Sequence, residues 1–284
     1  MMDYLTRTSS IIVLFTIAFL TLVLVKPGEG DLPTYSSAAA GIFGIFIGFS
    51  ISNSRGRLNR VNQLLKTENA NNLLVYRLSS VFGDEIQDKI RKLMDAYLID
   101  QIDYRLDDFD RSGDTFHKLY EYIINLEVKN DKQKMVLDSM IKTLNISSSN
   151  RVQIETITTQ RISIFEWISV WSLTFVVVFN LYLITRHDAF QSILITILAS
   201  ALILLVLVLR DLNNLKWQKG IWTWKPLHNL FVNMDLLPYY PRIIVEIGEA
   251  KIPSGEKVRL ADYPNPYPDM TDKVINVEEY DGGR

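Results

Sequence analysis

Between Ser192 and Leu209 the chain carries thirteen Leu, Ile or Val and no ionisable side chain. On an insertion scale those thirteen residues favour hydrocarbon by about 4 to 8 kcal/mol, more than any neighbouring polar group offsets. Three further blocks share this character: Ile11 to Val25, Ser36 to Ser52, and Ile168 to Ile184, the last interrupted only by hydroxyls, Asn180 and Tyr182. Each is slightly short of the roughly 20 residues that cross a bilayer, and Ser, Thr and Trp at the ends extend them. A buried core helix accounts for one such block but poorly for four. The expected fold class is an all-α integral membrane protein with four transmembrane helices in two hairpins, over residues 1–52 (spans 11–25 and 36–52) and 164–209 (spans 168–184 and 192–209).

Positive charge fixes the expected orientation, because Lys and Arg beside a span are retained in the cytoplasm. Arg55, Arg57, Arg60 and Lys66 follow the second block, Arg151 and Arg161 precede the third, and Arg210, Lys216 and Lys219 follow the fourth. The loops from Lys26 to Tyr35 and from Arg186 to Gln191 hold one basic residue each and are expected outside. Both termini and the segment between the hairpins are then cytoplasmic. Trp167 and Trp171 stand at the inner end of the third span, and Trp217, Trp222 and Trp224 just beyond the fourth, which suits either the headgroup layer or an aromatic core. Met1 to Ser10 carries only Asp3 and Arg7, and no small-x-small cleavage site follows Val25, so the first block is expected to be a retained anchor.

Residues 53–163 are expected to form a helical cytoplasmic domain. Ile86, Ile90, Leu93, Met94, Tyr97, Leu98 and Ile102 recur at three- and four-residue steps, as do Leu137, Met140, Ile141 and Leu144, giving each helix one apolar stripe. Asp84 is the expected N-cap of the first, and Gly113 marks a break before Phe116, Leu119, Tyr120 and Ile123. No Pro lies between Pro33 and Pro226, so Arg55 onward is expected to extend the second span and Gln133 to Arg161 to lead into the third. The tail, 210–284, ends in a small irregular or β appendage from about residue 242, with strands expected at Arg242–Ile247, Lys257–Leu260 and Lys273–Glu278. This tail reads either as a docking surface or, with more weight, as a packed segment.

Along the second span, small residues recur at every fourth position: Ala40, Gly44, Gly48 and Ser52. A face of this kind admits another helix at close range, which is how spans associate in lipid. On another face stand Ile42, Phe46 and Phe49. They line a dewettable constriction, or they face lipid or a neighbouring span, and the pattern alone favours the latter. Asn180 reads as interhelical hydrogen-bond glue. No ionisable residue falls within the four blocks, which argues against ion-coupled transport.

Other chemistries find little support. The chain has 30 basic and 32 acidic residues and no Cys, which argues against nucleic-acid binding and removes thiol nucleophiles, disulfides and Cys metal sites. His117, His187 and His228 lie in three regions, and no phosphate loop or nucleophile elbow occurs. No enzyme, catalytic residue, cofactor or metal is expected. Asp108 to Asp114 mimics the start of an EF-hand loop, but Leu119 stands where the bidentate Glu belongs. The seven Asp between Asp95 and Asp114 read as a solvated face.

The run from Gly41 to Arg60, GIFGIFIGFSISNSRGRLNR, followed by Glu68, Asn69 and Ala70, resembles the bestrophin-like family of four-span membrane proteins from bacteria and plants. So do RISIFEW at Arg161 to Trp167 and RDLN at Arg210 to Asn213 with Gly220 beyond. The resemblance covers roughly residues 36–232. Asn213 stands where the family commonly has Asp, and Lys216 and Trp217 where it has a Pro. The resemblance implies four spans around a cytoplasmic helical domain, and the bestrophins proper are pentameric anion channels whose second span lines a hydrophobic neck. By position Ile42, Phe46 and Phe49 take that role here. The acidic calcium clasp of animal bestrophins has no counterpart after Leu209.

Two functions follow as expectations. The first is a homo-oligomeric anion-permeable channel, its second span packed through Ala40, Gly44, Gly48 and Ser52 onto its own subunit. The alternative is a membrane-anchored scaffold or sensor whose cytoplasmic helices and tail bind a protein partner. The lipid bilayer is a partner in both, and a bacterial inner membrane the simplest location.

Overall fold

The computed structural model describes residues 32–104, 106–184, 189–214, 219–248, 250, 252–265, 269–270 and 272–281. The expected first span, 11–25, lies outside them. The described chain is mostly helical, with a small sheet, and three of its helices are long and apolar enough to cross a membrane. In order it forms α1 (Leu32–Ser79), α2 (Asp84–Asp103), α3 (Gly113–Ile124), α4 (Asp131–Thr159), α5 (Ile164–Ile184), α6 (Ala189–Asn213), α7 (Lys219–Asn233), β1 (Tyr239–Pro241), α8 (Arg242–Glu246), β2 (Glu256–Asp262) and β3 (Val274–Tyr280). Two compact units result. One takes the described residues up to Ser54 with Ile162–Asn213, and the other Arg55–Arg161 with the described residues after Asn213.

Helix α1 contributes to both units without a break, as the Pro-free sequence leads one to expect. Its 48 residues run about 72 Å at 1.5 Å each, more than twice the thickness of a hydrocarbon core. Only the part up to Ser52 is apolar throughout, so Arg55 to Ser79 lies beyond the membrane-spanning segment. The matching expectation for the third span fails. Helix α4 ends at Thr159, and α5 restarts at Ile164 under a capping box, in which Ser163 N–H donates to Glu166 Oε2 at 2.7 Å and Glu166 N–H to Ser163 Oγ at 3.2 Å. The reciprocal pair satisfies two helix-start donors and favours a new helix over continuation.

In the first unit, Phe43 and Ile47 of α1 pack with Val170 and Val177 of α5 and Val206 and Leu209 of α6. Trp167 and Trp171 are partly buried against that core. The hydroxyls of Ser169, Thr174, Thr196 and Ser200 each donate to the carbonyl one turn back in their own helix, at 2.7–2.9 Å. Such bonds let a polar group remain where water is excluded. Asn180 likewise donates to the Val176 carbonyl of its own helix at 2.8 Å.

In the second unit α1 and α4 run antiparallel, since Arg57 meets the Ile157 carbonyl, Arg60 meets Gln153, Asn71 meets Ser147, and Gln133 meets the Val81 carbonyl. The stripes on α2, α3 and α4 converge as their periodicity requires: Ile90, Met94, Tyr97, Leu98, Leu119, Ile123, Met140 and Leu144 are fully buried in one core. The N-cap of α2 is Gly83 and not Asp84. Its φ of +100° suits glycine, and Asp84 instead places an acid in the first turn, where the helix dipole favours it.

The tail joins this core. Leu227, Leu230, Phe231 and Met234 of α7, Tyr239 of β1 and Ala261 of β2 are buried among the α2–α4 stripes. The sheet has the order β1–β2–β3, with β1 parallel and β3 antiparallel to β2. Residues Arg242 to Glu246, expected as a strand, form a single helical turn. The strand lies just before it, where Tyr239 and Tyr240 are buried on both faces and Arg242 is left to bridge Asp262 and Glu278.

Candidate functional site

Around α1 the first unit separates three faces at helical spacing. Phe43 and Ile47, only 3% and 4% exposed, hold the helix to α5 and α6. Ala40, Gly44, Gly48 and Ser52 lie uncovered, and a Cβ built on Gly41, Gly44 or Gly48 meets nothing within 4 Å. The packing of α1 onto the described helices of its own subunit is thus made by bulky residues and not by the small-residue row. The third face carries Ile42 at 57% exposure, Ile45 at 78% and Phe49 at 73%. Phe46 turns toward the core and is partly buried there, so it belongs with Phe43 more than with Ile42. Ile45, three residues after Ile42 and four before Phe49, takes the place on this exposed row expected for Phe46.

The second unit holds a buried polar cluster that sequence reasoning missed. Glu68 of α1 is fully buried and faces Tyr97 and Gln101 of α2 and Arg151 of α4. The Tyr97 hydroxyl donates to Glu68 Oε1 and accepts from Arg151 Nη1 at 2.6 Å, so the phenol bridges acid and guanidinium. Gln101 Nε2 donates to both Glu68 Oε1, at 3.0 Å, and the Tyr97 oxygen, at 2.7 Å. Arg151 Nη2 donates to the Phe109 carbonyl and Ser112 Oγ, and the guanidinium lies 4.7–5.2 Å from the ring centres of Tyr97, Phe109 and Phe116. Three aromatic faces and three hydrogen-bond acceptors stabilise a cation that burial would otherwise disfavour.

Burial pushes the Glu68 carboxyl up to about 7, against the opposing pull of Tyr97, Arg151 and Gln101. The Tyr97 phenol is raised well above its ordinary value by burial and by Glu68, which keeps it a donor. Arg151, read from the sequence as a flanking charge beside the third span, is 4% exposed and belongs to this interior. Glu68, Tyr97 and Arg151 are separated by 29 and 54 residues, and no local spacing announces them.

The acidic stretch after Asp95 also differs from a solvated face. Arg259 of β2 forms a bidentate pair with Asp95 at 2.6 and 2.7 Å, while Asp103 receives Lys273 at 2.6 Å and the hydroxyls of Tyr239 and Tyr263. The tail supplies the countercharges. The loop resembling an EF-hand start buries Phe109 and Ser112 beneath Arg151, and among the described residues no group of three or more His, Asp or Glu stands ready for a metal. His228 lies between the Tyr240 hydroxyl, at 2.7 Å from Nδ1, and Glu256, at 3.3 Å from Nε2, linking α7 to the sheet.

The pattern of the bestrophin-like domain matches residues 32–214, well over half of the chain and all three apolar helices. The chain belongs to the bestrophin-like family. No curated protein and no solved structure matches it significantly. As a bestrophin-like protein it is a membrane protein of a family known for channel and not for enzyme activity. The three bestrophin-like motifs acquire structural reasons. GIFGIFIGFS carries the three faces of α1, RISIFEW contains the capping box that starts α5, and RDLN ends α6 with Asn213, whose Oδ1 accepts the Ile162 N–H at 2.8 Å.

Proposed function

We propose that this bestrophin-like protein is a homo-oligomeric anion-permeable channel of the bacterial plasma membrane, with four spans in two hairpins, both termini cytoplasmic and a cytoplasmic unit between and after the hairpins. The observation that carries this reading is the sorting of α1. The bulky Phe43 and Ile47 serve the subunit's own core, while the small row Ala40, Gly44, Gly48 and Ser52 and the apolar row through Ile42 and Phe49 stay uncovered by the described helices. The small row suits another helix, whether the first span or a second copy. The apolar row suits a constriction that opens by wetting, with Ile42 and Phe49 at its lining and Phe46 at its edge. Family membership supports both halves.

A scaffold role with a cytoplasmic partner has less behind it, because Tyr239 and Tyr240 of the tail are 1% and 2% exposed within the subunit's own core. Planar-bilayer recording of the purified protein tests the channel. Anion current is expected in the wild type and a larger current in Phe49→Ala. Absence of current in both would remove the reading, as would a monomeric mass in lipid.

A further inference from the structure

The two edges of the tail sheet differ. Strand β1 is short and buried throughout, and it ends in Pro241, which has no N–H to offer a further strand. Strand β3 is seven residues long and, among the described residues, pairs with β2 alone, so its outer edge keeps a row of main-chain donors and acceptors. On it Val274, Ile275 and Val277 are 50%, 40% and 59% exposed. An open edge with apolar side chains is a template for another strand, and soluble domains usually guard it with a charge or a proline. From Val274 to Val277 this edge carries neither.

The two faces of β3 have different duties. On one, Asn276 reaches Asp262 at 3.3 Å, Glu278 is held by Arg242, and Tyr280 packs against the core of Tyr240 and Val258. On the other, alternate positions read Lys273, Ile275, Val277 and Glu279. Lys273 bonds Asp103 at the end of α2, and Glu279 is exposed. Basic, apolar, apolar, acidic is an order that complements its own reverse. An antiparallel copy centred on Asn276 sets Ile275 opposite Val277 and Lys273 opposite Glu279, twice over, with Glu278, already paired with Arg242, opposite Val274. Centring on Val277 instead sets Ile275 against Glu279, and centring on Ile275 sets Lys273 against Val277. All three registers keep the ladder in step, and the first is the one that matches both pairs.

We propose that β3 is an interface with a second copy of this chain, the two strands antiparallel about a two-fold axis at Asn276, with Lys273 of each copy beside Glu279 of the other. The two sheets join into one, and the exposed apolar row covers itself. The charges favour a second copy over an unrelated strand because the chain itself supplies the opposite order. Strand β3 lies beyond the residues 32–214 that match the bestrophin-like domain, and the contact stands whether or not the protein conducts.

The full chain in native membranes tests it. The chain has no Cys, so one introduced thiol reports on one position. Directly opposed residues have Cα atoms about 4.5 to 5.5 Å apart, within disulfide reach, whereas Val274 lies about 13 Å along the strand from its own copy in this register. Mild oxidation is expected to link Asn276→Cys to itself at least about fivefold more than Val274→Cys. Carbodiimide is expected to join Lys273 to Glu279, a link that must run between copies because the two are about 20 Å apart along one strand. Adding Val277→Lys, a charge at an exposed edge position, should cut both links at least about fivefold while circular dichroism stays as in the wild type. Glu279→Lys, which sets like charges opposite, should cut the Asn276→Cys link as well. Equal linkage at Val274→Cys and Asn276→Cys, no Lys273–Glu279 crosslink, links that survive both lysine variants, or a link from Asn276→Cys to a different protein would each overturn the proposal.

Discussion

Asn213, the last residue of α6, accepts the backbone N–H of Ile162, two residues before α5 begins, at 2.8 Å. A single side chain thereby fastens the end of one apolar helix to the start of another. Asn213 is buried, and the N–H it satisfies precedes a helix start where donors outnumber acceptors. Replacing Asn213 with Ala is expected to lower stability by about 1 to 3 kcal/mol through the unmet donor. Asn213→Asp keeps an acceptor and should stay near wild type. Thermal unfolding in detergent, followed by tryptophan fluorescence, separates the two.

The two rows of α1 give opposite expectations for substitution. Phe43→Ala removes a buried ring from the packing with α5 and α6 and should destabilise the fold by about 3 to 5 kcal/mol. Gly44→Val or Gly48→Val meets open space among the described residues and should leave the subunit's unfolding midpoint almost unchanged while reducing its self-association. Native mass spectrometry from lipid reads the second effect. Full assembly of both valine variants would show that the small row takes no part in it.

The apolar stripes of α2, α3 and α4 and the blocks of α1, α5 and α6 were legible because periodicity and hydrophobic length are local properties. Ile90, Met94, Leu119 and Leu144 fall in the core as their spacing requires. The Glu68–Tyr97–Arg151 cluster was not legible. Each member alone looks like a residue on a helix surface, and only the convergence of three helices makes them partners. The same holds for Asp95 and Asp103, whose countercharges Arg259 and Lys273 lie 164 and 170 residues away. Arg242 to Glu246 misled for another reason: β-branched residues favour a strand, but Pro241 already ends β1, and the chain turns.

Arg151→Lys is expected to be far from conservative. An ammonium has no planar face to lie against Tyr97, Phe109 and Phe116 and no fork to reach both the Tyr97 hydroxyl and the Phe109 carbonyl. A loss of about 2 kcal/mol or more in denaturant unfolding is expected. Arg151→Met removes the cation outright, leaves Glu68 without its charge partner and should cost about 3 to 5 kcal/mol at alkaline pH, less in acid where Glu68 is neutral.

The raised Glu68 carboxyl has a definite sign in stability. Its contribution is fully present below its ordinary value of 4.5 and is lost as pH rises through about 7, a span worth about 3 kcal/mol. The wild type should therefore unfold at lower temperature at pH 8 than at pH 6, and Glu68→Gln should reduce that difference. A wild type that unfolds at a higher temperature at pH 8 than at pH 6, by a difference that Glu68→Gln abolishes, would contradict the sign.

Docking of the tail should depend on Arg259 and Asp95. Single replacement of either by Ala is expected to expose the sheet to limited proteolysis, and a double-mutant cycle should return a coupling of about 1 to 3 kcal/mol for this partly buried bidentate pair. Additive effects would mean that the pair forms without holding the tail.

Because residues after Asn213 complete a core begun before Arg161, the ribosome has made α5 and α6 before that core can close. The nascent chain must therefore deliver these greasy helices to the insertion machinery while half of the second unit waits unsealed. Biogenesis of this protein is then sensitive to the codons that follow Asn213: a message cut short there yields a polypeptide already embedded in lipid, with Ile90, Met94 and Leu144 missing part of their cover and open to chaperones and proteases.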